Sequence, residues 1–390
     1  MSTSPLTVRL CGFLLVCAGL VGLAPHAQAQ IGGAGVVFLQ IEPDSRAAGM
    51  GNSGVALADN AYAVFWNPAG LAYQRGTQVS LTHSNWLPEF NAGLFYEYLV
   101  AKHHVPGLGT FAGQVTFLNL GEHEGRDAQN NPTGTFRSYD LAVGVSYGTN
   151  VTPNLSLGTG LRLIYSNLAP NQTVGAQETK AGVSAGFDFG ALYRTNPFPL
   201  GNIQTTFSAG LNLANMGPKI QYSDSEQSDP IPTNLRFGTA FSFKFDDYNE
   251  LTWATDFNKL LINVDVDSTG STADPFYQAI FTAWSPIEAC TGTQGECAED
   301  PSKLRSLGVM EQLTIGSGLE YWYSTAPGTR LFALRAGYFY ESPYNGNRQF
   351  LTFGAGIEYN IVGVDFSYIY AVQENSPLAN TIRFSLLLNL

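Results

Sequence analysis

Long apolar runs are missing from this chain. Past residue 30 no uninterrupted stretch approaches the ~18–20 apolar residues that a spanning helix needs, which excludes a polytopic helical membrane protein. Charge is scarce too. Asp, Glu, Lys and Arg make up 13% of the 390 residues, about half of the ~25% typical of soluble domains. The balance is acidic, with a formal net charge of −12. A phosphate backbone would be repelled, so nucleic-acid binding is excluded. A disordered chain combines low hydrophobicity with high charge; here 44% of residues are hydrophobic and mean hydropathy is −0.02. Cysteine is limited to four residues and histidine to five, none beyond His123. In their place stand 42 Gly, 25 Phe and 19 Tyr, the composition of a Gly- and aromatic-rich β protein.

Residues 1–29 have the layout of a cleavable signal peptide. Arg9 supplies a positive start, Leu10 to Leu23 an apolar middle, and Ala27-Gln28-Ala29 a small-x-small cleavage site that leaves Gln30 first. An uncleaved anchor helix is the rival, but the apolar run is too short for one. Cys11 and Cys17 leave with this segment. Cys290 and Cys297 remain, in ACTGTQGECAED. An exported pair this close, in a Gly- and Thr-rich loop, reads as a local disulfide. Two thiols without a nearby His make an incomplete metal site.

From residue 76 on, apolar and small or polar residues alternate with period two in segments of about 9–14 residues. Leu351, Phe353, Ala355, Ile357 and Tyr359 face one way; Thr352, Gly354, Gly356 and Glu358 face the other. Val362, Val364, Phe366, Tyr368 and Tyr370 oppose Gly363, Asp365 and Ser367 in the same manner. About fourteen such segments begin near residues 76, 91, 107, 135, 154, 176, 201, 233, 249, 311, 329, 347, 361 and 379. Segments of this length cross a bilayer at a tilt, whereas sandwich strands average ~5–6 residues. Short connections near 102–106, 149–153, 246–248, 324–328 and 359–361 alternate with long ones at 121–134, 167–175, 215–232 and 263–310. An up-and-down outer-membrane barrel requires that alternation. The expected fold is therefore all-β: a transmembrane antiparallel barrel of about 14 strands over residues 76–390. Both termini are expected in the periplasm, the long loops outside, and the lumen face wet.

Residues 30–75 break the pattern and are expected to form an N-terminal hatch inside the barrel. Asp44 is placed to cap a short helix through Ser45, Arg46, Ala47 and Ala48 that Gly49 stops. Asn67 is placed as an N-cap with Pro68 as the first helical residue, where the missing N–H costs nothing. The charges expected to face the lumen are Arg162, Asp188, Arg236, Lys244, Asp256, Glu320, Arg335, Glu358, Asp365 and Arg383. They carry both signs and read as partners for the hatch ahead of a conduction filter.

Other motifs carry less. Gly182-Val183-Ser184-Ala185-Gly186 matches the G-x-S-x-G nucleophile pattern. It lies in a strand, with no histidine after it, so no catalytic residue is expected. His103-His104 reads as a solvated pair. Glu122, Glu124, Asp127 and Asp224, Glu226, Asp229 read as solvated loop charges ahead of a calcium site. No metal or cofactor is expected. The 263–310 loop is different. Phe276, Ile280 and Trp284 recur at helical spacing, with Tyr277 and Phe281 beside them, which predicts an amphipathic helix with an aromatic face. Such a face is not left in water without cause; it either folds over the barrel mouth or docks a protein partner.

Pro43-Asp44-Ser45-Arg46-Ala47-Ala48-Gly49-Met50-Gly51, then Gly54-Val55-Ala56, Asp59 and Trp66-Asn67-Pro68-Ala69, resemble the N-terminal hatch of the PorV family, within the FadL-like outer-membrane barrels. Asn85-Trp86-Leu87-Pro88 and Phe117-Leu118-Asn119-Leu120-Gly121-Glu122 are similar to the first strands of that family. The resemblance implies a plugged, non-enzymatic fourteen-stranded barrel of the type IX secretion system. Its hatch motif would be Asp44, Arg46, Gly49, Gly51, Asp59, Trp66, Asn67, Pro68 and Ala69. Family members collect secreted cargo by its C-terminal signal domain at the translocon. They deliver it to a surface attachment complex that contains the PorU sortase. The alternative is a FadL-type channel for hydrophobic small molecules. That channel needs a continuous apolar track, whereas the residues expected to face this lumen are mostly Gly, Ser, Thr and charge.

The loop cysteines are expected to be oxidised. A thiol reagent added to intact cells without reductant should leave both unlabelled, and ready labelling of Cys290 overturns the pairing. The closed loop is small, so the stabilisation is on the order of 2–3 kcal/mol in the loop-entropy picture.

Overall fold

The computed structural model describes residues 33–390, apart from 127–128, 130, 171, 175–176, 224–227, 268–269, 291–303 and 375. The signal segment, Asp127, Asp224, Glu226, Cys297 and the side chain of Cys290 lie outside the described residues, and with them the expected disulfide. Fourteen strands carry the fold. The first seven are β1 (Thr77–Asn85), β2 (Phe95–Val105), β3 (Gly109–Arg126), β4 (Pro132–Asn150), β5 (Leu155–Asn167), β6 (Gly182–Arg194) and β7 (Ile203–Met216). The second seven are β8 (Asn234–Lys244), β9 (Asn249–Leu260), β10 (Leu313–Ala326), β11 (Thr329–Glu341), β12 (Gln349–Tyr359), β13 (Val362–Ala371) and β14 (Ile382–Asn389). They start within six residues of where the alternation places them, the sixth showing the largest offset, at Gly182 instead of near 176. Each pairs antiparallel with its sequence neighbours, and a short piece, Phe198–Leu200, adds to the start of β7. β1 also pairs with β14, from Gln78↔Asn389 to Ser84↔Arg383, so the sheet closes on itself. Closure removes the unpaired edges that hydrocarbon does not tolerate. Among the described residues no helix is long and apolar enough to cross a membrane; the strands are what a bilayer would surround.

The alternation sorts the two faces. Outward residues such as Leu163 and Val183 are 69% and 66% exposed, while their inward neighbours are buried. Rings mark two levels on the outside. Phe95, Phe117, Tyr139 and Tyr165 step across β2 to β5 with centroids 6.1, 5.9 and 6.1 Å apart. Phe111 and Tyr147 pair at 4.9 Å nearer the opposite end of the wall. Two levels of aromatic side chains are the girdles that sit at membrane interfaces.

One end of the barrel carries tight turns at 106–108, 151–154, 245–248, 327–328 and 360–361. In one of them the Asp246 carboxylate accepts from Tyr248 N (2.7 Å) and Asn249 N (2.8 Å), and these bonds hold it below the usual carboxylate range. The other end carries the long connections, including 217–233 and 261–312. The expected loop at 121–134 is instead a projecting hairpin. β3 and β4 continue past a bulge at Gly121 (φ 88°) and pair Glu122↔Arg137 and Glu124↔Thr135. A residue in that left-handed region lets the ladder shift register and go on.

The hatch segment enters at the loop mouth and leaves at the turn mouth. At the loop mouth Gly35 N donates to Pro230 O (2.9 Å), in the β7–β8 connection; at the turn mouth Leu390 N donates to Thr77 O (2.8 Å). The described chain thus begins at the mouth opposite its carboxyl end. An even strand count returns Thr77 and Leu390 to the same mouth, while the hatch puts the described start of the chain at the other. The wet lumen is corrected. Phe38, Leu39, Val55, Tyr62, Trp66 and Leu71 of the hatch form one buried cluster with Tyr96, Tyr98, Val100, Ile164 and Leu387 of the wall. Inward Ser367 is 1% exposed. Lys244 and Glu358 are the exceptions among the expected lumen charges: Glu358 is half-buried, and Lys244 is exposed near the turn mouth with Nζ 3.0 Å from Asp247 Oδ1.

Arg at Leu161, mid-strand on the lipid face, should cost about 2–4 kcal/mol of assembly. Arg at half-buried Ser242 should be tolerated, and Arg at Ser367 should block the hatch. The fraction of heat-modifiable barrel recovered from envelopes ranks the three; equal yields for Leu161→Arg and Ser242→Arg would show that the faces are misassigned.

Candidate functional site

The hatch is built from short capped turns. Asp44 caps α1 (Ser45–Ala48) by accepting from Arg46 N at 2.9 Å, and Gly49 ends it, as its sequence predicts. α2 (Ala63–Trp66) follows, then a 3-10 turn over Pro68–Tyr73. Asn67 caps that turn by accepting from Ala69 N at 3.1 Å, with Pro68 at its first position. The same Asn67 side chain donates to Val55 O (3.2 Å) and, across to the wall, to Ala191 O (3.0 Å). Trp66 is buried edge-on to Phe65 (5.1 Å, 88°), and Asn212 donates to its carbonyl at 2.9 Å.

Backbone meets backbone where the hatch crosses the wall. Gly148, Gly158 and Gly190 lie side by side across β4, β5 and β6. A Cβ on Gly158 would fall 2.2 Å from the Pro68 carbonyl carbon, and one on Gly190 2.1 Å from Asn67 Oδ1. Gly210 and Gly238 pair across β7 and β8 against Val55. Gly318 and Gly337 pair across β10 and β11, where Cβ atoms would fall 2.3 Å from Met50 O and 2.2 Å from Gly51 N. Hatch Gly51 adopts φ 68° there, and its N–H donates to Thr352 Oγ1 at 2.8 Å. Gly49 meets Gly354 in the same way, a Cβ on it lying 3.0 Å from the Gly354 Cα. Glycine is the residue that lets two backbones come this close.

The buried charges are placed to hold the hatch. Arg46 forms two parallel bonds to Glu320, Nε–Oε2 and Nη2–Oε1, both 2.7 Å, and also contacts Asp59. Arg335 reaches Glu320 Oε2 (2.7 Å) and Asp365 Oδ1 (2.5 Å). The fork-to-fork geometry is the strong form of the ion pair. Asp256 accepts from Gly54 N (2.6 Å) and Val55 N (2.9 Å) of the hatch. Arg236 donates to Phe65 O (3.0 Å) and lies 4.4 Å over its ring. Arg383 sits 3.8 Å from Glu42, and Arg162 pairs with Asp188 in the wall itself. Glu358 is half-buried near the turn mouth. The nine hatch-motif residues thus share one interface. Its wall side, the glycine pairs above all, was missed in the sequence; the available signal was glycine recurring at inward positions of successive strands.

The remaining motifs lie apart. Ser184 sits on β6 and donates to Pro218 O (2.7 Å). His103 and His104 end β2 beside Thr77 and Thr110 hydroxyls. Glu124 pairs with Arg126 at 2.7 Å. Among the described residues no group of three metal-ligating side chains occurs.

The aromatic segment of the long loop is a helix, α3 (Phe276–Thr282). It lies on Ala279 and Ala283, 2% and 3% exposed, and turns Tyr277 (58%), Phe281 (79%) and Trp284 (41%) outward. Phe276 and Ile280 are half-buried. Trp284 Nε1 donates back to Ile280 O at 2.7 Å and closes the end of the helix. Asp274 steadies the base. It accepts from Thr282 Oγ1 (2.6 Å) and Asn263 Nδ2 (3.0 Å), bonds that hold its carboxyl below the usual range. Gln312 ties the far end of the loop, donating to Ser285 O and Leu307 O at 3.1 Å and accepting from Lys259 Nζ at 2.7 Å.

A family model described as type IX secretion system protein PorV matches residues 24–267. No curated protein matches the chain. Among solved structures, the TodX deltaS2S3 mutant monoaromatic hydrocarbon channel superposes with a TM-score of 0.50 at 12% identity, covering 88% of this chain and 96% of that one. The Pseudomonas putida toluene transporter TodX gives 0.47 at 12% identity, covering 87% and 95%. A Pseudomonas aeruginosa FadL homologue gives 0.42 at 12%, covering 89% and 98%. At such identities the likeness is one of barrel fold.

Glu320→Leu removes the partner of two buried arginines and should cost about 3–5 kcal/mol. Asp59→Asn alters a carboxylate that is 32% exposed and should cost no more than about 1 kcal/mol. The temperature at which the purified barrel loses its heat-modifiable form measures both, and equal shifts would refute the central place of Glu320.

Proposed function

The chain belongs to the PorV family of type IX secretion system proteins, and from that membership we propose a non-enzymatic role in moving secreted proteins to the cell surface. In this reading the barrel sits in the outer membrane with its turns in the periplasm and its long loops outside. It binds cargo by the cargo's C-terminal signal domain at the translocon and passes it to the attachment complex with its PorU-type sortase. The observation that carries the reading is the pairing of a filled lumen with an aromatic platform. Hatch backbone lies against the wall glycines, so the work of the molecule falls to its outside. There α3 holds Tyr277, Phe281 and Trp284 away from the barrel. Exposed rings on a fixed support are the usual anchors of a protein interface.

The alternative, passage of small hydrophobic molecules, would use the lumen. The lumen centre here holds Arg46, Glu320, Arg335, Asp365 and Asp256, and an apolar solute meeting those groups would strip them of their partners.

The double change Phe281→Ser and Trp284→Ser tests the platform. Barrel abundance and heat-modifiable migration should stay as they are, while co-purification of translocon components and surface delivery of cargo fall. Loss of one buried aromatic anchor often costs about 2 kcal/mol or more of binding. An unstable barrel would make α3 a lid on its own mouth, and unchanged binding and secretion would move the contact to another loop.

A further inference from the structure

Sealing the lumen does not account for the first residues of the hatch, which reach past the wall to the loops. A Cβ on Gly35 would fall 2.9 Å from Ile220 Cγ2 and 3.2 Å from Asp229 Cβ, and its N–H bonds to Pro230 O. Ile220 is fully buried, and Ile220 and Asp229 exchange backbone bonds of 2.8 and 2.9 Å. The loop held in this way passes the hold on. Lys219 Nζ donates to Ala273 O at the end of the Val264–Ala273 hairpin, and a Cβ on Gly33 would lie 3.9 Å from Val264. Asp274 N then donates to Asn263 O (2.9 Å), and the Asp274 carboxylate receives Thr282 of α3. In the other direction the chain enters the lumen core at once, through Phe38 and Leu39.

We propose that Gly33–Val37 is a strap displayed at the loop mouth. It clamps the β7–β8 connection, and through it the α3 platform, onto the hatch. The strap stands on the opposite side of the barrel from the carboxyl terminus. The side of the membrane on which the strap is displayed rests on the orientation proposed above; its place beside α3 does not.

The test uses the full chain with both loop cysteines changed to Ser. Single cysteines replace Val37 (49% exposed), Phe281 on the platform, and Asp247 at the turn mouth. A membrane-impermeant maleimide is applied to intact and to broken cells. Val37→Cys and Phe281→Cys should label together in intact cells, and Asp247→Cys only after breakage. Labelling of Val37→Cys in company with Asp247→Cys would overturn the strap. Labelling of Val37→Cys and Phe281→Cys only in broken cells would leave the strap standing and overturn the orientation instead. The clamp has its own readout. Gly35→Leu should make trypsin cut at Lys219 several-fold faster in the purified barrel while heat-modifiable migration persists. Unchanged cleavage would refute the clamp, and Gly35→Ala gives the same reading should the larger side chain prevent assembly.

Discussion

Contact between the hatch backbone and the backbone of the inner wall is the constraint on which the rest of this structure depends. Where Pro68 passes Gly158, or Met50 passes Gly318, the gap is smaller than one methyl group. Side chains cannot mediate such a contact, so glycine recurs in register on adjacent strands. Those paired glycines form a smooth track for the hatch. The packing leaves little room for water beside the motif and places the main apolar cluster in the lumen instead of between two sheets. The outer face, relieved of any core-forming duty, is free to be mainly apolar and to carry its aromatic rings at two levels.

Close packing makes every lumen charge a matter of pairing. Bringing an ion out of water costs several kcal/mol unless geometry and hydrogen bonds repay it. Three buried wall carboxylates are met by arginine or by main-chain N–H: Glu320 by two arginines, Asp365 by Arg335, Asp256 by two amides. The contacts to Glu320 and Asp256 link hatch residues 46, 54 and 55 to two neighbouring strands, β10 and β9. A slip of the hatch by one residue would break all of them together, so the ions act on register as well as on stability.

In the proposed role, with the lumen occupied by the hatch, partners are met through the loops. In α3, alanines at 279 and 283 are buried, and the rings on the remaining face are held out at an apolar cost that water would otherwise oppose. The base reaches through Asn263, Asp274, Lys219 and Pro230 to the first residues of the hatch. Membership of the PorV family and the exposed rings are the two supports of the proposed role.

Much of this was legible in the sequence because a barrel strand writes its own environment with period two. Lipid on one side and hatch on the other demand opposite polarity, so strand number, starts and faces can be read from neighbours in sequence. The caps at Asp44 and Asn67 were legible for the same reason, since a cap is satisfied within two residues. The helix over 276–282 was legible from its spacing. Tertiary structure decided what depends on residues far apart. A glycine at 158 looks like any other until Pro68 is placed against it, ninety positions earlier in the chain. Glu320 reveals its role only when Arg46 arrives, and Lys244 leaves the lumen only because its strand ends near the turn mouth. The direction of the hatch is likewise absent from local pattern. Alternation fixes which side of a strand faces inward, but it holds no information on which way an enclosed segment runs; that is set by which loop receives Gly35.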